Sequence, residues 1–225
     1  MSTETSTELT LVRHGRTIWH AENRYTGVSD VPLDEVGRAQ AVALAEWASR
    51  RHFDVLVCSP VPRAVATAAP VAATTGLRPE VLADLREVDF GIAEGRTLAE
   101  LRETYPDAAA AFVADPVANP FPGAEPPAAA AARAVVALRD VADRYRGRSV
   151  LVIAHNTLLR LALCQWLGIP LSRYRAVLPR LENAAATRLR VPADTGAPPA
   201  LLALNVPTSP AVTADEPAPT AGRTA

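Results

Sequence analysis

The stretch Leu9-Thr10-Leu11-Val12-Arg13-His14-Gly15 decides how the rest of the chain is interpreted. Its apolar part is typical of a buried strand, and its polar residues come at the point where that strand ends. In open α/β sheets, ligands bind beside the ends of the strands. A guanidinium next to an imidazole at such a place can hold an anion and attack it. We therefore predict an anion-binding site around Arg13 and His14.

The composition limits the class of protein. The chain has 225 residues, enough for one domain with a full core. Its formal net charge of −1 gives no reason to expect nucleic acid or a membrane surface as a partner. All 23 Lys-or-Arg positions are arginine, so every permanently charged cation in a site must be a guanidinium. The sequence carries no signal-peptide pattern and no apolar run of membrane-spanning length, so we expect a soluble, cytoplasmic protein.

The alternation of apolar and helical segments predicts an α/β fold. Residues 9–12, 54–58 and 149–154 indicate strands that lead into helices. Residues 186–191 and 201–206 indicate two final strands, expected as a hairpin at the edge of the sheet. We expect a three-layer α/β/α sandwich with a mostly parallel central sheet flanked by helices.

The domain boundaries follow from local composition. Residues 1–7 are polar and residues 207–225 are rich in Pro, Thr and Ala, so both are expected to be disordered tails. The domain is expected to span residues 8–206. Within it, residues from about 96 to 127 are expected to form a small cap or insertion. Asp34, Gly76 and the pair Thr97-x-x-Glu100 are typical signals for the beginning or end of a helix.

Polar side chains follow all three of the clearest strands. After the second strand come Ser59 and Arg63, and after the third come His155, Asn156 and Thr157. If the strands are parallel, these residues meet Arg13 and His14 along one edge of the sheet, beside helix N-termini that favour anions. Arginine forks match phosphate oxygens two at a time. The composition of this crevice predicts phosphoryl transfer, which depends mainly on positioning and charge stabilisation.

Phosphoryl transfer through a histidine also needs a proton donor for the leaving oxygen. His14 can be the nucleophile, and nearby cations can hold the phosphoryl oxygens. The segment around Phe90 offers two carboxyl groups, those of Glu87 and Asp89, as the acid. A carboxyl group in apolar surroundings has a raised pKa, which suits an acid near neutral pH. The residue types alone do not choose between Glu87 and Asp89.

Four ordered motifs resemble the histidine phosphatase superfamily, the phosphoglycerate-mutase-like proteins. The resemblance extends from about residue 8 to residue 206. It rests on Arg13-His14-Gly15-x-Thr17, continued by residues 27–41; on Ser59-Pro60-x-x-Arg63-Ala64-x-x-Thr67-Ala68; on Glu87-x-x-Phe90-Gly91-x-x-Glu94-Gly95; and on Val152-Ile153-Ala154-His155. The resemblance implies that the histidine of the first motif is phosphorylated and that the phosphoryl group is then hydrolysed or transferred.

The resemblance also implies roles for single residues. His14 is the nucleophile, Glu87 the proton donor and His155 the second active-site histidine. The residues expected to bind the substrate phosphate are Arg13, Arg63, His20, Thr26, Gly27 and Asn156. Neither a metal nor another cofactor is expected.

Three positions depart from the pattern of the family. His20 stands where members usually carry Asn, so its protonation is expected to enter the pH dependence. Asn156 stands where Gly is usual, and it can still present its backbone N–H. Gly123-Ala124-Glu125-Pro126 occupies the place of a Gly-Gly-Glu-Ser type segment. The role of Glu125 is left open.

Three functions remain possible from the sequence. The favoured hypothesis is a metal-independent phosphomonoesterase that acts on a small phosphorylated metabolite. The alternatives are a cofactor-dependent phosphoglycerate mutase and a phospholigand-binding protein without catalysis. Mutases of the family hold a bisphosphate with an arginine pair in a central insertion, whereas residues 103–132 here contain no basic residue. The identity of the substrate and the presence of a homodimer are left open.

Overall fold

The computed structural model describes residues 6–193 and 197–208, and the structural statements below refer to those ranges. They form one six-stranded sheet. Its strands are β1 (Thr7–Arg13), β2 (Val55–Cys58), β3 (Pro79–Val81), β4 (Ser149–Ala154), β5 (Ala186–Val191) and β6 (Ala200–Val206). They lie side by side in the order β3-β2-β4-β1-β5-β6. Most of the two predicted tails, 1–7 and 207–225, falls outside the described residues.

Parallel pairing dominates the sheet. β4 pairs in parallel with β1 and β2, and β2 pairs in parallel with β3. β5 runs antiparallel to β1 and to β6. β5 and β6 pair with each other as predicted. Of these two strands only β6 lies at an edge of the sheet, because β5 lies between β1 and β6. The expected mostly parallel sheet is confirmed.

Helices cover both faces of the sheet. They are α1 (Glu35–Ser49), α2 (Pro62–Thr75), α3 (Leu98–Thr104), α4 (Pro106–Ala114), α5 (Pro127–Arg144), α6 (Asn156–Trp166) and α7 (Tyr174–Val177). α1 and α2 pack on one face, against Val12, Leu151 and Ile153. α5 and α6 pack on the other, where Leu9 and Val152 point. Because successive side chains of a strand point to opposite faces, both cores are filled by the same strands. The three-layer architecture is confirmed.

Local sequence signals explain several helix ends. The Asp34 carboxylate accepts a 2.7 Å hydrogen bond from Gly37 N at the start of α1. Gly76, with φ of 74°, ends α2 in the left-handed conformation that glycine adopts readily. Thr97 and Glu100 form the predicted capping box of α3. The sequence analysis does not predict α4, because its alanine-rich run lacks a clear helical period.

The register of the parallel strands brings the three polar strand ends together. Arg13 of β1 is paired with Ala154 of β4, and Cys58 of β2 is paired with Ile153. The residues after each strand therefore meet at one edge, where α2 and α6 also begin. This edge is the position predicted for the anion site. Among the helices of the described residues, none combines the length and the apolarity needed to cross a membrane.

Candidate active site

His14 follows β1 directly and is 4% exposed. Its Nδ1 lies 2.7 Å from the carbonyl oxygen of Gly15. Since a carbonyl oxygen only accepts hydrogen bonds, this contact assigns the ring proton to Nδ1 and leaves a lone pair on Nε2. Nε2 accepts a 3.2 Å hydrogen bond from Nε of Arg63. The nitrogen available for attack on phosphorus is therefore oriented and carries its lone pair.

Electrostatics keep the two central imidazoles neutral. Burial lowers the pKa of His14 well below its usual range, and the charge of Arg63 is the next largest cause. The same two causes, in the same order, lower the pKa of His155. The centroids of the two rings lie 5.2 Å apart. A neutral His14 retains the lone pair that a nucleophile needs.

Arg63 is fully buried in the first turn of α2. Its Nη2 donates to the carbonyl oxygens of Thr26, at 3.1 Å, and Gly27, at 2.7 Å, while its Nη1 donates to that of Ser29 at 3.1 Å. These carbonyls satisfy a cation that opposes the dipole of its own helix. Thr26 and Gly27, expected to bind phosphate, thus contact Arg63 through their carbonyl groups.

Glu94 organises the loop that holds Arg63. Its carboxylate accepts hydrogen bonds from the N–H groups of Gly27, at 3.1 Å, and Phe90, at 3.1 Å, and from the hydroxyl of Ser29 at 2.6 Å. A Cβ atom on Gly27 would collide with this carboxylate and with the carbonyl oxygen of Val88. Only glycine fits there. Sequence reasoning assigns no firm role to Glu94, since Gly27 and Ser29 lie 67 and 65 residues away in the chain.

Arg13 and His20 form the other side of the site. Nη1 of Arg13 donates to the carbonyl oxygen of Leu181 at 2.8 Å, and Nη2 contacts Nε2 of His20. Nδ1 of His20 accepts from the backbone N–H of Thr17 at 3.0 Å. Burial, followed by the charge of Arg13, lowers the pKa of His20 to about 3. The expectation that His20 titrates within the working pH range is therefore wrong, because its ring stays neutral near pH 7.

His155 lies at the end of β4 and is completely buried. Its Nε2 is 2.7 Å from Oγ of Ser59, which itself accepts from Val61 N at 3.2 Å. Nδ1 of His155 has no hydrogen-bond partner within residues 6–193 and 197–208. Buried polar atoms are rarely left without a partner, and such an atom calls for an explanation. A hydroxyl proton donated by Ser59 to Nε2 leaves Nδ1–H free to donate to a phosphoryl oxygen.

The carboxyl groups of Glu87 and Asp89 lie in different surroundings. The Glu87 carboxyl group accepts hydrogen bonds from Thr157 N at 3.0 Å and Leu158 N at 2.8 Å, at the beginning of α6. Burial raises the pKa of Glu87, although these backbone donors and Arg63 act in the opposite direction. The side chain of Asp89 instead accepts from Gly91 N at 2.8 Å, within its own turn.

Arg133 of α5 fixes the chain segment that carries Glu87. Its guanidinium forms a two-pronged pair with Glu125, with N···O distances of 2.7 and 2.8 Å. It also donates to the carbonyl oxygens of Asp84, Arg86 and Glu87, at 2.6, 2.8 and 3.2 Å. Glu125, whose role the sequence leaves open, therefore holds Arg133 in place. The contacts of Arg133 with the three carbonyls could not be predicted from spacing, since these partners lie 46 to 49 residues away in the chain.

Two asparagines connect the site to the segment before β5. The side-chain oxygen of Asn156, expected to bind phosphate, accepts from Leu181 N at 3.1 Å. The carbonyl of the same Leu181 holds Arg13. Asn183, which sequence reasoning missed, donates through Nδ2 to the carbonyl oxygen of His14 at 2.8 Å. This contact spans 169 residues, so no local pattern announces it.

An aromatic cluster, Tyr25, Phe90, Phe112 and Phe121, joins residues 96–127 to the rest of the protein. Phe112, on α4, stacks on Phe121 with centroids 4.0 Å apart. Tyr25 lies 5.3 to 5.7 Å from the other three rings. Thr26, whose carbonyl holds Arg63, follows Tyr25 directly in the chain. The cluster therefore borders the catalytic pocket.

The donor set at the strand ends suits nucleophilic attack on a phosphoryl group. It offers a neutral imidazole, two guanidiniums and a buried carboxyl group with a raised pKa. In the ranges that the structure describes, no group of three or more His, Cys, Asp or Glu residues is arranged to hold a metal ion.

Known proteins match this chain over most of its length. The family described as "Histidine phosphatase superfamily (branch 1)" matches residues 9–204. Phosphoserine phosphatase 1 of Hydrogenobacter thermophilus is 35% identical over 169 residues, covering 74% of this chain and 79% of that protein. A metal-independent phosphoserine phosphatase of Arabidopsis thaliana is 36% identical over 157 residues, covering 68% and 66%.

A solved structure agrees with these matches. The structure of a mycobacterial glucosyl-3-phosphoglycerate phosphatase is 28% identical, with a TM-score of 0.78, covering 89% of this chain and 99% of that chain. The relatives named here are phosphatases, and they support a phosphatase activity for this chain. The resemblance seen in the sequence motifs is confirmed: the chain belongs to the histidine phosphatase superfamily.

Proposed function

We propose that the chain is a phosphomonoesterase that hydrolyses a small phosphorylated metabolite through a phosphohistidine on His14. The observation that carries this proposal is the position of the proton on the His14 ring and the orientation of that ring. Nδ1 is bonded to Gly15 O, and the Nε2 lone pair faces the guanidinium of Arg63. An anion held by Arg63 would lie against the attacking nitrogen.

The first step forms the phosphoenzyme. Nε2 of His14 attacks phosphorus with its lone pair while the bond between phosphorus and the ester oxygen breaks. Glu87 gives its proton to that oxygen, which leaves as an alcohol, and becomes a carboxylate. Arg13, Arg63 and Nδ1–H of His155 hold the phosphoryl oxygens as charge moves onto them.

The second step regenerates the protein. The Glu87 carboxylate takes a proton from a water molecule, whose oxygen attacks phosphorus. The bond between Nε2 and phosphorus breaks, inorganic phosphate leaves, and His14 recovers its lone pair. The backbone donors of Thr157 and Leu158 stabilise the carboxylate between the two steps.

Hydrolysis without a metal is part of the proposal. The name of the Arabidopsis relative describes it as metal-independent, which supports the same property here. The names of the relatives include phosphoserine and glucosyl-3-phosphoglycerate phosphatases, so small phosphorylated metabolites are the substrate class that we propose. The absence of basic residues from 103–132 supports hydrolysis over mutase activity.

The experiment is phosphate release from a panel of phosphomonoesters in the presence of a chelator. The wild type should release phosphate, and His14→Ala should lose roughly 10⁴-fold or more of kcat/KM. His52→Ala is a matched control, because the His52 side chain is 84% exposed and lies outside the site.

The panel contains 3-phosphoglycerate with and without a bisphosphoglycerate. Interconversion of phosphoglycerates without phosphate release would replace the proposal by a mutase. Binding of phosphomonoesters without turnover would replace it by a binding protein, and full activity of His14→Ala would reject the covalent step.

A further inference from the structure

Arg160 lies one helical turn beyond Asn156 on α6, and residues four apart on a helix share a face. It is 6% exposed, and its Nε donates to the carbonyl oxygen of Leu178 at 2.5 Å. The guanidinium carbon lies 4.7 Å from the centroid of the Tyr174 ring. Burial lowers the pKa of Arg160 to about 10. A charge this deeply buried needs a counter-charge or a strong hydrogen-bond network.

A second guanidinium lies beside the same ring. The guanidinium carbon of Arg175 is 5.7 Å from the Tyr174 centroid and 4.6 Å from that of Phe112. Its Nε donates to the hydroxyl of Tyr174 at 3.1 Å. The charge of Arg175 disfavours the charged form of Arg160, so two like charges are brought together at some cost.

In the part of the chain that the structure describes, neither guanidinium forms a salt bridge with a carboxylate. The salt bridges found there involve other arginines. Among residues 6–193 and 197–208, the hydrogen bond found for the Arg160 guanidinium is the one from Nε to Leu178, and no acceptor is found for its Nη groups. Paired cations without a carboxylate are typical of a site that an anion completes.

The position of this pair connects it to the catalytic pocket. The charge of Glu87 acts on Arg160, and the charge of Arg175 acts on Tyr25, the residue before the Arg63-binding Thr26. Tyr174 and Thr157 line one small cavity, and Thr157 N binds Glu87. The pair therefore lies near Glu87, on the α6 side of the catalytic pocket.

We propose that Arg160 and Arg175 form a subsite for a second anionic group of the substrate. This inference rests on the proposed phosphatase function and narrows its substrate class. The preferred substrates are phosphomonoesters that carry a carboxylate or another anion a few bonds from the phosphate. Arg160 and Arg175 bind this group and take no part in bond breaking at phosphorus.

A purely structural role accounts for only part of these contacts. The bond from Arg160 to Leu178 O would anchor the chain after α7, but it uses one of the five N–H donors of the guanidinium. It gives no reason for a second guanidinium beside the same tyrosine. An anion shared by both arginines accounts for their proximity.

Phosphoserine and phosphoethanolamine test the subsite, because they differ only by a carboxylate. The wild type should prefer phosphoserine by about tenfold or more in kcat/KM, mainly through KM. Arg175→Gln should remove most of this preference, whereas Arg175→Lys should retain part of it. Arg173→Gln is the matched control, since Arg173 is an exposed neighbour of the same charge, and it should retain the wild-type ratio.

Arg160→Lys provides a second variant that keeps the buried charge and tests the deeper half of the subsite. It should lower the preference while the circular dichroism spectrum and Tm stay close to those of the wild type. Equal kcat/KM for the two substrates in the wild type would overturn the inference. It would also be overturned if Arg173→Gln lowered the preference for phosphoserine as much as Arg175→Gln does. Failure to release phosphate from either substrate and from the wider panel would instead reject the proposed function.

Discussion

The catalytic pocket and the aromatic cluster beside it are stabilised in different ways. In the pocket, Arg63 binds three backbone carbonyls and His14 binds one, so the main chain fixes the reacting groups. In the cluster, Tyr25, Phe112 and their neighbours are held by packing between aromatic rings whose centroids lie 4.0 to 5.7 Å apart. Hydrogen bonds fix direction, whereas apolar packing tolerates changes of shape.

This difference separates chemistry from selectivity. A change in the pocket alters a group that every phosphomonoester must use, so it should lower the rate for all substrates. A change in the cluster leaves the main-chain contacts of Arg63 and Glu87 intact, and it should mainly alter the choice between substrates.

Glu87→Gln should produce a large loss of activity, second to that of His14→Ala. Glutamine retains the shape of the side chain and one oxygen that can accept from the backbone of α6, but its NH2 group cannot accept the second bond and it has no acidic proton for the leaving oxygen. We expect kcat/KM to fall by about 10²–10⁴-fold for alkyl phosphates, and much less for nitrophenyl phosphate, whose leaving group needs no proton. The measurement is kcat/KM against the leaving-group pKa.

Asp89→Asn is the matched control for the acid. Its carboxylate accepts from Gly91 N within a turn, so the variant should retain the leaving-group dependence of the wild type. If Asp89→Asn steepens this dependence and Glu87→Gln does not, the acid is wrongly assigned.

The second prediction concerns stability against pH. His14, His20 and His155 have lowered pKa values in the folded protein, so below about pH 6.5 the unfolded chain binds more protons than the folded one. Their contribution to stability is complete above pH 6.5 and is lost as the pH falls towards the folded pKa values. Each group can contribute up to about 1.4 kcal/mol per pH unit.

Glu87 acts in the opposite direction. Its raised pKa contributes stability at low pH that is lost as the pH rises above its unfolded value, but it is one group against three histidines. We expect Tm to rise between pH 5 and pH 6.5 at constant ionic strength, and His14→Gln to flatten the slope. His52→Gln, a change at an exposed histidine, serves as the control. A Tm independent of pH would contradict the conclusion that the three buried rings are neutral.

Phe112→Leu should have the smallest effect. The change removes the ring that stacks on Phe121 and lies under Arg175, but it keeps an apolar side chain in the cluster. We expect KM values to change by less than about tenfold, differently for different substrates, with a smaller effect on kcat. Phe53→Leu changes an aromatic residue packed on Trp47, away from the site, and should leave the relative KM values unaltered. A uniform loss of kcat with Phe112→Leu would show that the cluster supports the chemistry itself.

The site could be predicted from sequence where short-range signals define it. The strand ends bring Arg13, His14, Arg63 and His155 together because parallel strands end at one edge. The caps at Asp34 and Thr97 depend on contacts three residues away. Each cap is decided within a few residues of the position that signals it, and each strand end is marked locally by polar residues that follow an apolar run.

The rest depends on contacts between distant parts of the chain. Asn183, Glu94 and Arg133 reach the site only after the sheet and α5 are assembled. Their amide, carboxylate and guanidinium groups look like ordinary surface residues in the sequence. The titration of His20 was wrongly expected for the same reason, because its burial and the nearness of Arg13 depend on the tertiary structure.

The hydrogen bond between Nδ1 of His14 and Gly15 O has a consequence for positional isomerism. Phosphohistidine exists as two isomers, with the phosphoryl group on either ring nitrogen. Since Nδ1 is occupied by the main chain, a phosphorylated His14 would be the τ isomer, substituted at Nε2. Antibodies selective for τ-phosphohistidine would therefore detect a trapped intermediate that π-selective antibodies would miss.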